Sequence, residues 1–196
     1  MSHTSYTLSG LRANLYGLLF ALPVFVFVCT PYILIWCDLK RGAPDCFVPV
    51  IHKNIALINI AIDTPWFFWV SLLLIMFLGI VLHELIHGAV MAFFAKNGWR
   101  SIEFGFKIKS FAAYTHCKQP LKPNAYRLSL IMPGILLGDI PTLMSWLTGN
   151  VLFLFVGVIF YCAAAGDIVM LWRSRNITDG MLQDHPEKIG FIHFES

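Results

Sequence analysis

The stretch Val81-Leu82-His83-Glu84-Leu85-Ile86-His87-Gly88 lies inside an apolar run from Pro65 to Ala95 in which Glu84 is the only formal charge. A helix of about 30 residues measures about 45 Å at 1.5 Å per residue, longer than the hydrocarbon core of a bilayer at about 30 Å. The run therefore reads as a membrane-spanning helix that tilts or projects past the bilayer. Within it, His83 and His87 stand four residues apart and so one above the other, able to present two imidazole nitrogens to a single zinc ion. Glu84 lies beside them, placed to take a proton from a metal-bound water. The metal lowers the pKa of that water toward about 7, and the carboxylate serves first as general base and then as proton donor to the leaving amine.

Composition alone, with seven His in 196 residues, yields an H-E-x-x-H roughly 0.005 times per chain, so chance accounts for the motif only rarely. Its setting adds weight. A carboxylate at the centre of a spanning helix costs about 2.5–3.5 kcal/mol on insertion scales, and such residues are rarely kept there without a functional partner. The bland alternative is a buried polar cluster that merely holds helices together.

Outward from this helix the chain continues in the same key. Hydrophobic residues make up 58% of the sequence and charged residues 13%, which excludes an ordinary soluble globular domain and predicts a single membrane-embedded domain over residues 1–196. The 24 residues from Ala13 to Trp36 carry no formal charge and predict a first spanning helix, too long for the apolar core of a signal peptide. Pro23 and Pro31 within it predict a kink or an early end. Between Asp38 and Asp63 the run Ile55 to Ile62 is too short to span and predicts an interfacial or re-entrant segment.

After Lys96 the pattern changes, with Ile102, Phe104, Phe106 and Ile108 alternating with Glu103, Gly105, Lys107 and Lys109, the period-two signature of a strand with one apolar face. Phe111 to Cys117 is placed to return as its partner, giving a hairpin over about residues 101–117. A third helix is predicted over 128–147 and a fourth over 151–172, antiparallel neighbours because only Thr148-Gly149-Asn150 joins them. The tail from Arg173 reads as short and polar. The predicted fold class is thus an all-α membrane protein, four transmembrane helices with a small cytoplasmic β-hairpin.

The basic residues orient this layout. Eleven of the fourteen Lys and Arg fall in the N-terminus, the 96–127 loop and the tail, against three between the first two helices. By the positive-inside rule both termini and the hairpin are cytoplasmic, in a multi-pass protein of the cell membrane. The basic loop is also suited to anionic lipid headgroups, and nothing in the sequence points to nucleic acid. The cysteines at 29, 37, 46, 117 and 162 form no C-x-x-C pair. Cys37 and Cys46 flank one loop and are placed to pair if it faces an oxidising compartment.

Catalytic zinc usually has three protein ligands and an open position, so a third ligand must come from another element. The acids inside the predicted spans are Glu84, Asp139 and Asp167. Asp167 follows the small residues Ala163-Ala164-Ala165-Gly166, which would allow the fourth helix to approach the second closely. Asp139 follows Gly134 and Gly138, with the same consequence, and the pattern leaves both acids open. His116 and Cys117 are further candidates, as a gating or inhibitory ligand pair or simply as part of a strand at the membrane surface.

The order of these features is similar to that of the site-2 protease group of intramembrane metalloproteases. More closely, His83-Glu84-Leu85-Ile86-His87-Gly88, Phe104-Gly105-Phe106, Ala112-Ala113-Tyr114-Thr115-His116-Cys117, Pro133 and Gly166-Asp167 resemble the DUF3267 family of zincin peptidases, over about residues 80–170. The resemblance implies Asp167 as the third zinc ligand. Unlike site-2 proteases, the chain has neither Asn nor Pro between Phe160 and Ala165, and Gly precedes Asp, so no residue is assigned to oxyanion stabilisation.

The expectation is an intramembrane zinc metalloprotease acting on transmembrane or membrane-associated peptides, with metal ligands His83, His87 and Asp167 and with Glu84 activating a zinc-bound water. The alternatives are a non-catalytic zinc-binding membrane protein, either a transporter or a degenerate protease, and a structural adaptor for other membrane proteins.

Overall fold

The computed structural model describes residues 3–36, 65–107, 112–186 and 189–195. The segment 37–64 lies outside them, and with it the pairing of Cys37 with Cys46 and the re-entrant reading of Ile55 to Ile62. Strand β1 (His3–Leu8) leads into α1 (Gly10–Trp36), which runs through Pro23 and Pro31 without ending at either. Helix α2 (Pro65–Phe94) carries the motif, and a 3-10 turn at Gly98–Ser101 follows it. Strands β2 (Ile102–Lys107) and β3 (Ala112–Cys117) form the expected antiparallel hairpin, with Glu103 opposite His116 and Phe104 opposite Thr115.

The third apolar segment begins earlier than predicted, because Pro123 occupies the first helical turn, where its missing N–H costs nothing. It runs as α3 (Pro123–Pro133), a π-helical segment Gly134–Asp139, and α4 (Ile140–Thr148). Gly149, in the left-handed region at φ 69°, and Asn150, whose side chain caps the Leu152 N–H at 2.9 Å, turn the chain into α5 (Val151–Ala163). Tight packing follows, since a Cβ on Gly157 would overlap Thr142 Oγ1. Tyr32 and Trp36 of α1 tie this end together by donating to the carbonyls of Gly149 and Trp146, at 2.7 and 2.9 Å.

The predicted fourth helix is broken rather than continuous. Helix α6 (Ala165–Ser174) bends 47° from α5 at Ala164. Ala165 Cβ of α6 faces Gly17 of α1 and Ala164 Cβ faces Gly134, while the predicted fourth helix also meets α2 closely, since a Cβ on Gly79 would overlap the Phe160 ring and Asp167 reaches the histidines. Among the described residues three helices are long and apolar enough to cross a membrane, or four if α5 and α6 form one bent span.

The tail, which the sequence marks only as short and polar, forms two strands. Strands β4 (Met181–Asp184) and β5 (Ile189–Phe194) join β1 in an antiparallel sheet of order β1-β5-β4, with His3 opposite Phe194. The fold is therefore mostly helical with two small sheets rather than all-α, and the sheet brings both ends of the chain to one side. Leu182 and Phe191 are fully buried in a core with Met91, Cys117, Tyr126 and Met170, so this sheet is packed onto the motif-bearing end of α2.

Candidate metal centre

Glycine lets the hairpin reach the motif. A Cβ on Gly88 would come within 2.6 Å of the Phe104 ring, so β2 lies directly on α2 only because that side chain is absent. Directly across the hairpin from Phe104, the Thr115 hydroxyl lies 2.8 Å from Glu84 Oε2 and 2.8 Å from the Glu84 carbonyl oxygen. The catalytic candidate is thereby held against β3 by its own side chain and backbone together.

His83 and His87 are both buried, and their Nε2 atoms lie 3.2 Å apart. The bend at Ala164 turns α6 so that Asp167, in its first turn, reaches both. Asp167 Oδ2 is 3.1 Å from His83 Nε2 and 3.3 Å from His87 Nε2. The donor atoms of a tetrahedral zinc with bonds of about 2.1 Å stand about 3.4 Å apart, close to this triangle of two nitrogens and one carboxylate oxygen. The residues fit the metal, and among the described residues no other such group of His, Cys, Asp and Glu occurs.

A second layer of contact orients His87. Its Nδ1–H donates to the Ser129 carbonyl at 2.8 Å, which leaves Nε2 with a lone pair directed at the trio. Ser129 has a carbonyl to offer for a reason visible in the chain. In a regular helix it would accept from the N–H of residue 133, but that residue is Pro133, and the Gly134 N–H donates instead to Ile131. His83 Nδ1, by contrast, is buried without a partner among the described residues, which hold its ring through Nε2.

The trio opens into a cavity of about 460 Å3 that Glu84, His87 and Asp167 share with Tyr114, Thr115 and His116 of β3, Asp184 at the end of β4 and His185 after it. Tyr126, at its floor, donates to Asp184 Oδ1 at 2.7 Å. Burial pushes the Asp184 carboxyl above its usual range. Asp139 takes no part in the trio and accepts instead from the Tyr161 hydroxyl. Of the pair His116 and Cys117, only His116 faces the cavity. Cys117 is 2% exposed in the core, and burial raises its thiol pKa, the opposite of what a metal-ligating thiolate needs.

Sequence reasoning missed Thr115, Ser129 and Asp184. Thr115 stood in a noted motif with no role, a backbone carbonyl leaves no trace in side-chain pattern, and Asp184 lay in the supposed tail. Pro133, noted only for resemblance, was the available signal for Ser129.

The family model DUF3267, described as "Putative zincin peptidase", matches residues 76–181, more than half of the chain. The chain belongs to this family. The DUF3267 match extends from α2 to the first residue of β4 and so takes in every member of the trio and Glu84. Membership implies a metallopeptidase using zinc, and the buried His83–His87–Asp167 group is able to hold such an ion. No curated protein and no solved structure gives a match to the chain.

Proposed function

We propose that this DUF3267 chain is an intramembrane zinc metallopeptidase, of the site-2-protease type, that hydrolyses peptide bonds of transmembrane or membrane-associated substrates. The observation that carries the reading is the convergence of His83 Nε2, His87 Nε2 and Asp167 Oδ2 within 3.1–3.3 Å beside a cleft lined by Glu84. These three side chains hold the zinc. When bound, the ion supplies Lewis acidity that activates a water in its open position and polarises the scissile carbonyl. Glu84 Oε2, fixed by Thr115, takes the proton from the attacking water and passes it to the departing amine nitrogen. Ser129 keeps His87 in one tautomer throughout.

The membrane placement follows from length. If α2 enters the hydrocarbon at Pro65, the motif lies about 27–33 Å along the helix, at the far boundary of a core about 30 Å thick. The last turns of α2 and the hairpin beside them then stand among headgroups and water, where free strand edges can be solvated. The excess of Lys and Arg on this side makes it cytoplasmic, together with both ends of the chain, in the cell membrane. A substrate segment unwinds at this boundary and lies extended along β3, whose residues 113–116 line the cleft. Of β2 only Glu103 lines it.

The test is purified protein with measured zinc, assayed against unfolded membrane-anchored peptides, beside Glu84→Gln. The reading expects one zinc per chain in both and peptide cleavage in wild type alone. Zinc without cleavage in wild type supports a carrier or a degenerate enzyme, and a carrier keeps its transport activity in E84Q. Absence of stoichiometric zinc removes the reading.

A further inference from the structure

On the flank of the fold away from the cleft, a groove of about 230 Å3 lies between α3 and the end of α6, lined by Arg127, Ile168, Leu171, Trp172 and Arg175. Both of its cations are held in place by neutral groups. The Arg127 guanidinium donates to the carbonyls of Ser174 and Ile177 and to Asn124 Oδ1, the last at 3.1 Å. Arg175 donates to the Trp172 carbonyl at 3.2 Å, and its guanidinium carbon sits 3.6 Å from the centroid of the Trp172 ring. Among the described residues no carboxylate is within ion-pair distance of either arginine, and the one Lys or Arg ion pair is the distant Lys118–Glu103. Two fixed positive charges therefore share one groove without compensation.

Below the charges the wall is apolar, and Trp172 is 63% exposed. A groove with guanidinium groups at its rim, an indole at the boundary and aliphatic side chains beneath matches an amphiphile in all three zones. We infer that it binds an anionic phospholipid, the phosphate seated between Arg127 and Arg175 and an acyl chain along Ile168, Leu171 and Trp172. A free phosphate would leave the apolar wall against water. A zwitterionic headgroup would bring an ammonium into a groove that has two cations and no acid to receive it. The inference rests on the membrane placement proposed above and not on peptide hydrolysis. The site also has a place in the wider fold, because α3 carries Ser129 and α6 carries Asp167. A lipid lodged between them braces the two helices that orient His87 and supply the carboxylate.

Native mass spectrometry of the full chain, released from neutral detergent with phosphatidylglycerol or phosphatidylcholine, tests it. Wild type is expected to retain phosphatidylglycerol in preference to phosphatidylcholine. Arg175→Gln is expected to weaken that retention about fivefold, as one lost surface cation predicts, and Arg175→Lys to preserve most of it. Thermal midpoints without added lipid control for folding, and glycerol 3-phosphate, which lacks the acyl chains, is expected not to compete. Equal retention of the two lipids by wild type, unchanged retention by a folded Arg175→Gln, or effective competition by glycerol 3-phosphate each overturns the assignment. Flotation with pure phosphatidylcholine vesicles reports membrane placement separately, so its failure is distinguishable from that of headgroup preference.

Discussion

His87 Nδ1 lies 2.8 Å from the carbonyl oxygen of Ser129, and that carbonyl is spared from the helix ladder by Pro133. Pro133→Ala restores an N–H one turn away that competes for the same oxygen and loosens the imidazole. Loss of such an outer contact typically costs about 10–100-fold in metal affinity. Competitive chelator titration should therefore find weaker zinc binding in Pro133→Ala. Pro141→Ala, which removes a proline from the first turn of α4, outside the trio, should leave the affinity near wild type. Equal affinities in Pro133→Ala and wild type would refute the role given to Pro133.

Thr115 and Glu84 form the other fixed contact of the centre, at 2.8 Å. A hydrogen bond to a charged group contributes about 1.5–3 kcal/mol, so Thr115→Val is expected to lower peptide turnover about 10–100-fold while zinc content stays at the wild-type level. Thr115→Ser keeps the hydroxyl and should recover most of the rate. If the valine and serine variants lose activity alike, packing and not the hydroxyl explains the residue.

What the sequence discloses and what it conceals divide along physical lines. The i, i+4 histidines on an apolar helix and the period-two run after Lys96 are local patterns, and both appear where they were expected, as α2 and the β2–β3 hairpin. The three-stranded sheet joins His3–Leu8 to residues some 180 positions away. No local period can announce such a pairing, and β4, at four residues, is too short to carry a period of its own. The bend at Ala164 was likewise hidden, because an Ala-rich segment favours helix by propensity, yet it is this bend that delivers Asp167 to the histidines. Asp139 and Asp167 looked equivalent as acids preceded by small residues. The family resemblance favoured Asp167, the path of the chain separates the two, and their variants should differ accordingly. Asp167→Ala is expected to abolish stoichiometric zinc while Asp139→Ala retains it, as elemental analysis of the purified proteins would report. Zinc lost from the Asp139 variant alone would assign the third ligand the other way.

Glycines of α5 and α6 also separate by environment. A Cβ at Gly157 overlaps Thr142 Oγ1 and comes within 3.2 Å of the Gly138 carbonyl oxygen, whereas one at Gly166 meets nothing within 4 Å. Gly157→Ala should therefore push α4 from α5 and destabilise the fold by about 1–3 kcal/mol. Gly166→Ala should be neutral, or stabilising by about 0.4–1 kcal/mol through the unfolded chain. Thermal midpoints in detergent distinguish the two, and a Gly157→Ala midpoint at or above wild type would contradict the packing described for α4 and α5.

Asp184 gives stability a pH dependence whose sign can be worked out. Burial raises its carboxyl above the ordinary 3.8, an effect opposed but not cancelled by the Tyr126 hydroxyl that favours the ionised form. In the window between the unfolded and folded pKa values the folded state keeps a proton that the unfolded state has released, so stability falls as pH rises through it. Above the window the buried carboxylate is a constant burden, and below it the acid is neutral in both states. Asp184→Asn keeps an oxygen to accept from Tyr126 and never ionises. The metal-free variant is thus expected to unfold at a higher temperature than metal-free wild type near pH 7, with the difference shrinking toward zero at about pH 3, below the ordinary carboxylate range. Unfolding midpoints of the two proteins across that span check it, and an advantage that grows on acidification would mean that Asp184 is stabilised as an anion by its surroundings.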